Sequence, residues 1–229
     1  MGDALFLHEV VDIVGQGSKP YMAHTVGFDT DDAGGRGLRL FGTWSVMGST
    51  GRWPQVVNLW ELIDGWEGWR RLCDRTNLQR DTNPGLSQWW DEAHRYRTGG
   101  FDRLLMAADS CPTPCDLVSA RVTGTVFVHE LTEVRPGAGP DYLDAVAREW
   151  APVAAEHGHT LVGSWLVLLR DTEVCTLWAT DLDHHIALMD SSDERATRWA
   201  EHRRQWCTRW RTELMTPGAG TLLAPAPPG

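Results

Sequence analysis

The strings "ALFLHEV" at 4–10 and "TVFVHEL" at 125–131 each set a histidine beside a glutamate inside an apolar run. Imidazole and carboxylate are the side chains best suited to moving protons near neutral pH. Apolar, partly β-branched surroundings read as strands, and consecutive strand residues face opposite ways. Only one member of each pair can therefore enter a given cavity. Glu9 and Glu130 form one candidate acid–base set, and His8 and His129 form the other.

The two strings are landmarks of a longer recurrence. His8 and His129 lie 121 positions apart, and the same step carries Tyr21 to Tyr142, Gly42 to Gly163 and Trp44 to Trp165. Further on the step slips by a few residues, with "NLWEL" at 58–62 answering "TLWAT" at 176–180. A repeat of domain length points to duplication and pseudo-twofold pairing rather than to a solenoid. Asn58 and Trp60 share one strand face, as do Thr176 and Trp178. An amide or hydroxyl beside an indole suits orienting a carbonyl or phenol against an aromatic wall. Trp44 and Trp165, each two residues after a glycine, are expected to face the same cavity, with Tyr21 and Tyr142 as further ligand-contacting candidates.

The composition narrows the partners. A chain of 229 residues has material for one large or two small domains. A formal charge of −10 argues against a nucleic-acid binder, which needs a basic stripe along the phosphates. Five scattered cysteines make no disulfide framework. The first residues have neither a basic segment nor an apolar signal core, and no 18 apolar residues run together, so a cytoplasmic protein without membrane contact is expected. Thirteen tryptophans suit either a Trp-rich core or a cavity for a flat organic ligand. A small hydrophobic or aromatic molecule is the expected partner, and the expected state is a monomer or homodimer.

The elements that must position these residues follow one plan twice. The first repeat reads as strand 5–14, helix 19–28, the polar loop "DTDDAGGRG" at 29–37, strands 38–46 and 55–62, helices 65–75 and 86–98, and a short strand 103–108. The second reads as strand 124–134, helix 141–157, strands 160–169 and 173–179, helices near 183–190 and 193–211, and a short strand near 212–216. Domain limits are set at 1–110 and 122–216, with a linker at 111–121 and a Pro/Gly-rich, disordered tail at 217–229.

A βαββαβ unit leaves one sheet face uncovered, and two such sheets packed face to face would cover both. With "HELTEVRPG" on the first strand, "GTW" and "GSW" on the second and "PQVVNLWEL" on the third, the chain resembles the NIPSNAP-like members of the dimeric α/β-barrel superfamily. The resemblance implies an α+β fold of two ferredoxin-like repeats forming an intramolecular pseudo-dimeric α/β barrel, with ligand space between the sheets. The superfamily includes cofactor-free monooxygenases, polyketide cyclases, isomerases, haem proteins and non-catalytic binders, so fold leaves function open.

Within that frame, burying an unpaired carboxylate under helices costs more than burying a neutral imidazole, which puts Glu9 and Glu130 in the space between the sheets. Reversed parity would put His8 and His129 there. His24 is a third acid–base candidate, because its counterpart is Ala145 and the adjacent 29–37 loop would leave an opening and act as a lid. "HGH" at 157–159 and "HH" at 184–185 have no third ligand at a metal-site spacing and read as surface histidines. No metal and no bound cofactor are expected. The expected activity is cofactor-independent cyclisation, isomerisation or elimination of an aromatic or polyene molecule in bacterial secondary metabolism. Oxygenation of a phenol and simple binding are the alternatives.

Overall fold

The computed structural model describes residues 4–31, 33–79 and 84–226. They fall into two compact units, one holding residues up to 104 together with the chain's last segment from 216, the other holding 105–215.

In the first unit β3 (Gln55–Leu62) lies between β1 (Leu5–Ile13) and β2 (Leu38–Val46), antiparallel to both. The first part of β4 (Arg97–Ala107) runs beside β1, entering where Val14 donates to the Tyr96 carbonyl at 2.8 Å. Gly100 is required there, since a Cβ at this position would stand 2.2 Å from the Val10 carbonyl oxygen and its φ is +150°. Three helices, α1 (Ser18–Asp31), α2 (Trp66–Leu72) and α3 (Pro84–Ala93), belong to this unit. Tyr21 and Met22 of α1 and Ala93 of α3 pack with Val11, Ile13 and Val56, and Trp89, Trp90 and Tyr96 close over the cluster. Apolar residues at alternate strand positions thus meet the apolar stripes of helices on one sheet face.

A short helix, α4 (Pro114–Ser119), follows β4 and opens the second unit's main sequence. Thr113 and Asp116 form a reciprocal capping box at its start. The strands are β5 (Val126–Val134), β6 (Thr160–Val167), β7 (Glu173–Thr180) and β8 (Cys207–Pro217). β5 pairs with β7 and β8, and β6 pairs with β7 and with Leu105–Ala107. Between β5 and β6 the chain is helical as α5 (Gly139–Ala145) and α6 (Ala151–Glu156), joined by a wider π turn over Val146–Trp150. Pro152 has no N–H for the carbonyl four residues back, and the helix widens just before it. Two further helices, α7 (Leu182–Met189) and α8 (Glu194–His202), start at the side-chain caps Asp181 and Asp193.

Several boundaries differ from the sequence reading. α1 continues to Asp31, and a 3₁₀ turn spans Ala33–Arg36, so most of the expected 29–37 loop is helical; position 32 lies outside the described residues. The helices expected at 86–98 and 193–211 end at Ala93 and His202, and after a turn at 94–96 and a 3₁₀ turn over Arg203–Gln205 the chain enters the long starts of β4 and β8. The mixed Arg, Trp, Thr and Gly residues at the starts of these strands set no period of their own, and the ladder beside the neighbouring strand decides their state. The expected linker holds α4. In the tail expected to be disordered, Gly218 donates to the Thr43 carbonyl at 2.8 Å and Leu223 is buried, while 227–229 lie outside the described residues. Among the described residues no helix is long and apolar enough to cross a membrane.

Candidate functional site

In the first unit the register aligns Glu9 with Asn58 and Asn58 with Thr43, so these three side chains share a face. Trp60, two residues on from Asn58, joins them. The Trp60 indole N–H donates to Glu9 Oε2 at 2.7 Å, and the Asn58 amide donates to the same oxygen at 3.1 Å. Thr43 donates to Asn58 Oδ1 at 2.6 Å, which fixes the amide with its NH₂ toward Glu9 and toward the Tyr21 hydroxyl, 3.2 Å away. The Glu9 carboxylate is thereby held by donors that are themselves held.

Glu9 and Trp60 line a cavity of about 360 Å³ whose walls include Phe28 of α1, Trp69 of α2 and Trp89 and Trp90 of α3. This volume and aromatic character are those of small-molecule sites. Two cations flank it, Arg36 stacked over Phe28 at 4.9 Å and Arg97 over Trp90 at 4.9 Å. Asp102 of β4 lies at the exposed edge. Partial desolvation first, and the nearby Glu9 carboxylate second, push its pKa from 3.8 up to about 6, with Arg97 pulling the other way.

A carboxyl group raised on folding stabilises the folded state below its unfolded value and loses that contribution as pH rises through the folded value. Relative to Asp102→Asn, the wild-type protein is expected to lose stability between pH 3.8 and about 6 and to run parallel to it above. Urea midpoints of the two proteins across that range check this; identical pH profiles would show that Asp102 is not perturbed.

Both glutamates therefore lie on the helix-covered face, contrary to the expectation that they occupy the space between sheets. The cost argument assumed an unpaired carboxylate, whereas Glu9 accepts from Trp60 and Asn58. In the second unit Glu130 accepts from Thr176 at 3.0 Å, Trp178 at 3.3 Å and Thr212 at 3.4 Å, with Arg203 Nη1 at 3.5 Å. His8 and His129 face the other way and are buried. His129 Nδ1 stands 3.5 Å from the buried Glu213 carboxylate.

Trp44 and Trp165 are also on the face opposite the glutamates, since they align with Val57 and Cys175 rather than with Asn58 and Thr176. They do not line the glutamate cavities. Tyr21 stands behind Asn58 rather than in the cavity wall, and burial, then Glu9, push its hydroxyl up to about 12. Tyr142 is equally buried, stacks on Trp199 at 6.1 Å and is held above the usual phenol range by burial, then by Glu130. Asn58 and Thr176 hold the carboxylates without lining the cavities. His24 stacks on Trp89 at 5.0 Å, with Nε2 3.1 Å from the Trp89 carbonyl oxygen, and borders a separate surface depression between α1 and α3.

The second unit has its own cavity of about 320 Å³, so an opening confined to the first repeat is not what the fold provides. Trp150, Trp178, Trp199 and Trp210 supply its aromatic walls, and Glu130 and Arg203 line it. His159 and His185, read from sequence as surface residues, line it too, and His159 is buried. Sequence reasoning also missed Arg97, which fell at the end of a stretch read as helix, and Asp102, which fell between that helix and the short strand at 103–108. The Trp89–Trp90 pair was a visible signal, because α3 has to cover the same face as Trp60.

No family profile and no curated protein sequence matches the chain. Solved structures do. An anthrone oxidase-like protein aligns at a TM-score of 0.65 with 14% identity, over 98% of this chain and 97% of its own. A candidate monooxygenase from Fusobacterium nucleatum aligns at 0.62 with 10% identity, over 94% and 93%. This chain has the dimeric α/β-barrel fold. Its solved neighbours include NIPSNAP proteins, among them one from Burkholderia xenovorans that covers 42% of this chain and 96% of its own at a TM-score of 0.37 and 16% identity.

Proposed function

We propose that the chain is an enzyme that takes a proton from a flat, hydrophobic aromatic molecule bound in the first unit's cavity, with Glu9 as the base. The observation that carries this reading is the Glu9 carboxylate fixed by Trp60 at 2.7 Å and Asn58 at 3.1 Å within a tryptophan-walled cavity. A carboxylate held in place on an apolar wall is oriented before substrate arrives, which removes part of the entropic barrier.

The substrate ring stacks among Trp60, Trp89 and Phe28, and a phenolic O–H or an acidic ring C–H meets Glu9. Proton loss leaves a delocalised anion, which Arg36 and Arg97 stabilise from the walls. Asp102, with a pKa near 6, can return a proton at another carbon. Removal at one position and return at another is an isomerisation. The same anion closes a ring on an internal carbonyl or expels a leaving group.

A second reading has the anion react with O₂, giving an oxygenated product. It draws on the names of the neighbours, an anthrone oxidase-like protein and a candidate monooxygenase, whose likeness extends over nearly the whole chain. Anthrone in D₂O separates these readings. Deuterium uptake at its acidic methylene without O₂ consumption supports proton transfer alone, and enzyme-dependent O₂ consumption supports oxygenation. Binding with neither exchange nor oxygen uptake, repeated over a panel of phenols and polyenes, would leave a binding protein and refute the enzyme.

A further inference from the structure

The second unit's cavity is not a copy of the first. Glu130 stands where Glu9 does, but its partners are four, Thr176, Trp178, Thr212 and Arg203, against the two donors on Glu9. Such a carboxylate is an anchor. The cavity instead contains two histidines with no counterpart in the wall of the first.

Their tautomers follow from their partners. His159 Nδ1 is 2.9 Å from the His157 carbonyl oxygen, which can only accept, so Nδ1 carries the proton. In the neutral ring Nε2 then has the lone pair, and it faces His185 Nδ1 at 3.2 Å. That contact requires His185 Nδ1 to donate, which leaves the lone pair of His185 on Nε2. The chain His157 carbonyl, His159, His185 thus sets a basic nitrogen on a residue lining the cavity. Its geometry is built in. Gly158 turns the backbone at φ +73°, its carbonyl accepts from Thr180 at 2.9 Å, and Asp181 caps α7 by accepting from the backbone N–H of His184, the first of the histidine pair.

We propose that the second cavity is a separate proton-transfer site in which His185 Nε2 accepts the O–H proton of a bound phenol and His159 is the positioning residue. The proton moves to Nε2, giving an imidazolium beside a phenolate; no redox partner is involved. Burial keeps both rings below the usual histidine range, for His185 against the opposing pull of Glu130, so the base form prevails at neutral pH. The other charged or titratable groups around the pair are Arg203, lining the cavity, and His157 and His184, which act on His159. His157 is occupied by Asp193 at 3.0 Å and His184 by Asp181 at 2.7 Å.

The test uses the full chain and 4-nitrophenol, whose ionised form is seen by its colour, with histidine ring nitrogens followed by NMR. Both His159 and His185 should be protonated at Nδ1 in the free protein, and the His185 ring signals should shift on titration with the probe. The ionised-to-neutral ratio of the bound probe should depend on His185. His185→Phe should still bind it but lower its ionised-to-neutral ratio by about tenfold, the size of one pKa unit. His159→Phe should give the same loss, and His159→Gln, whose amide oxygen can accept from Nδ1, should restore it. The same measurements in the Glu9→Gln background remove the first cavity's base, so the part of the ionisation that His185→Phe abolishes, and the His185 ring shift, read the second cavity alone. A proton on His159 Nε2, no His185 shift at saturation, or a bound-probe ionisation indifferent to His185→Phe overturns the proposal.

Discussion

Glu9→Gln is expected to lower turnover by about 10²–10⁴-fold, the usual size of a general acid–base contribution, with little change in melting temperature. Glutamine keeps the shape and still offers a carbonyl oxygen to the Trp60 indole N–H, so the hydrogen bonds that hold this position largely survive. What it cannot do is accept a proton at neutral pH. The matching change in the second unit should behave differently. Glu130→Gln leaves Arg203, buried and 3.5 Å away, without its carboxylate, and a loss of about 2 kcal/mol of stability is expected before any loss of turnover. Comparison of kcat and urea midpoints for the two variants decides the matter. Equal turnover in Glu9→Gln and wild type, with activity instead lost in His8→Phe, would move the chemistry to the opposite strand face.

Gly163→Ala and Gly42→Ala should each destabilise the protein by about 1–3 kcal/mol, the cost of forcing extra volume into packed core. An added Cβ would stand 2.1 Å from the Trp165 ring at Gly163 and 2.2 Å from the Trp44 ring at Gly42. Both indoles are 1% exposed and fold back over the glycine two residues earlier on the same strand face, next to a register shift in each strand. The recurring "GTW" and "GSW" are therefore packing motifs: glycine makes room for the ring. For a chain of this size each kcal/mol should lower the melting temperature by about 2–4 °C. Gly163→Ala combined with Trp165→Leu should cost less than the two single changes added, because the ring that meets the new methyl is gone. Strict additivity, or an unchanged melting temperature in Gly163→Ala, would show that the ring has another place to go.

The sequence by itself determined the duplication, because His8, Tyr21, Gly42 and Trp44 recur at one spacing and chance does not align four unlike residues. It determined the order of strands and helices up to the third strand of each repeat, where apolar periodicity is strong, and it put Asn58 with Trp60 and Thr176 with Trp178 on common faces, because side chains alternate along a strand. It also separated His8 from Glu9. Which of the two lay under the helices was beyond it: a period of two is the same whichever side is covered, and the answer turned on partners 49 and 51 residues away, Asn58 and Trp60, that make a carboxylate tolerable under α1 and α3. The starts of β4 and β8 were hidden for a related reason. Arg97–Leu104 and Cys207–Thr212 carry a mixed pattern of Arg, Trp, Thr and Gly that favours no period, and their strand state comes from the ladder beside β1 or β5. Only the tertiary structure could bring His159, at the end of a helical segment, to 3.2 Å from His185 at the start of another, since a hydrogen bond between residues 26 apart leaves no trace in local spacing.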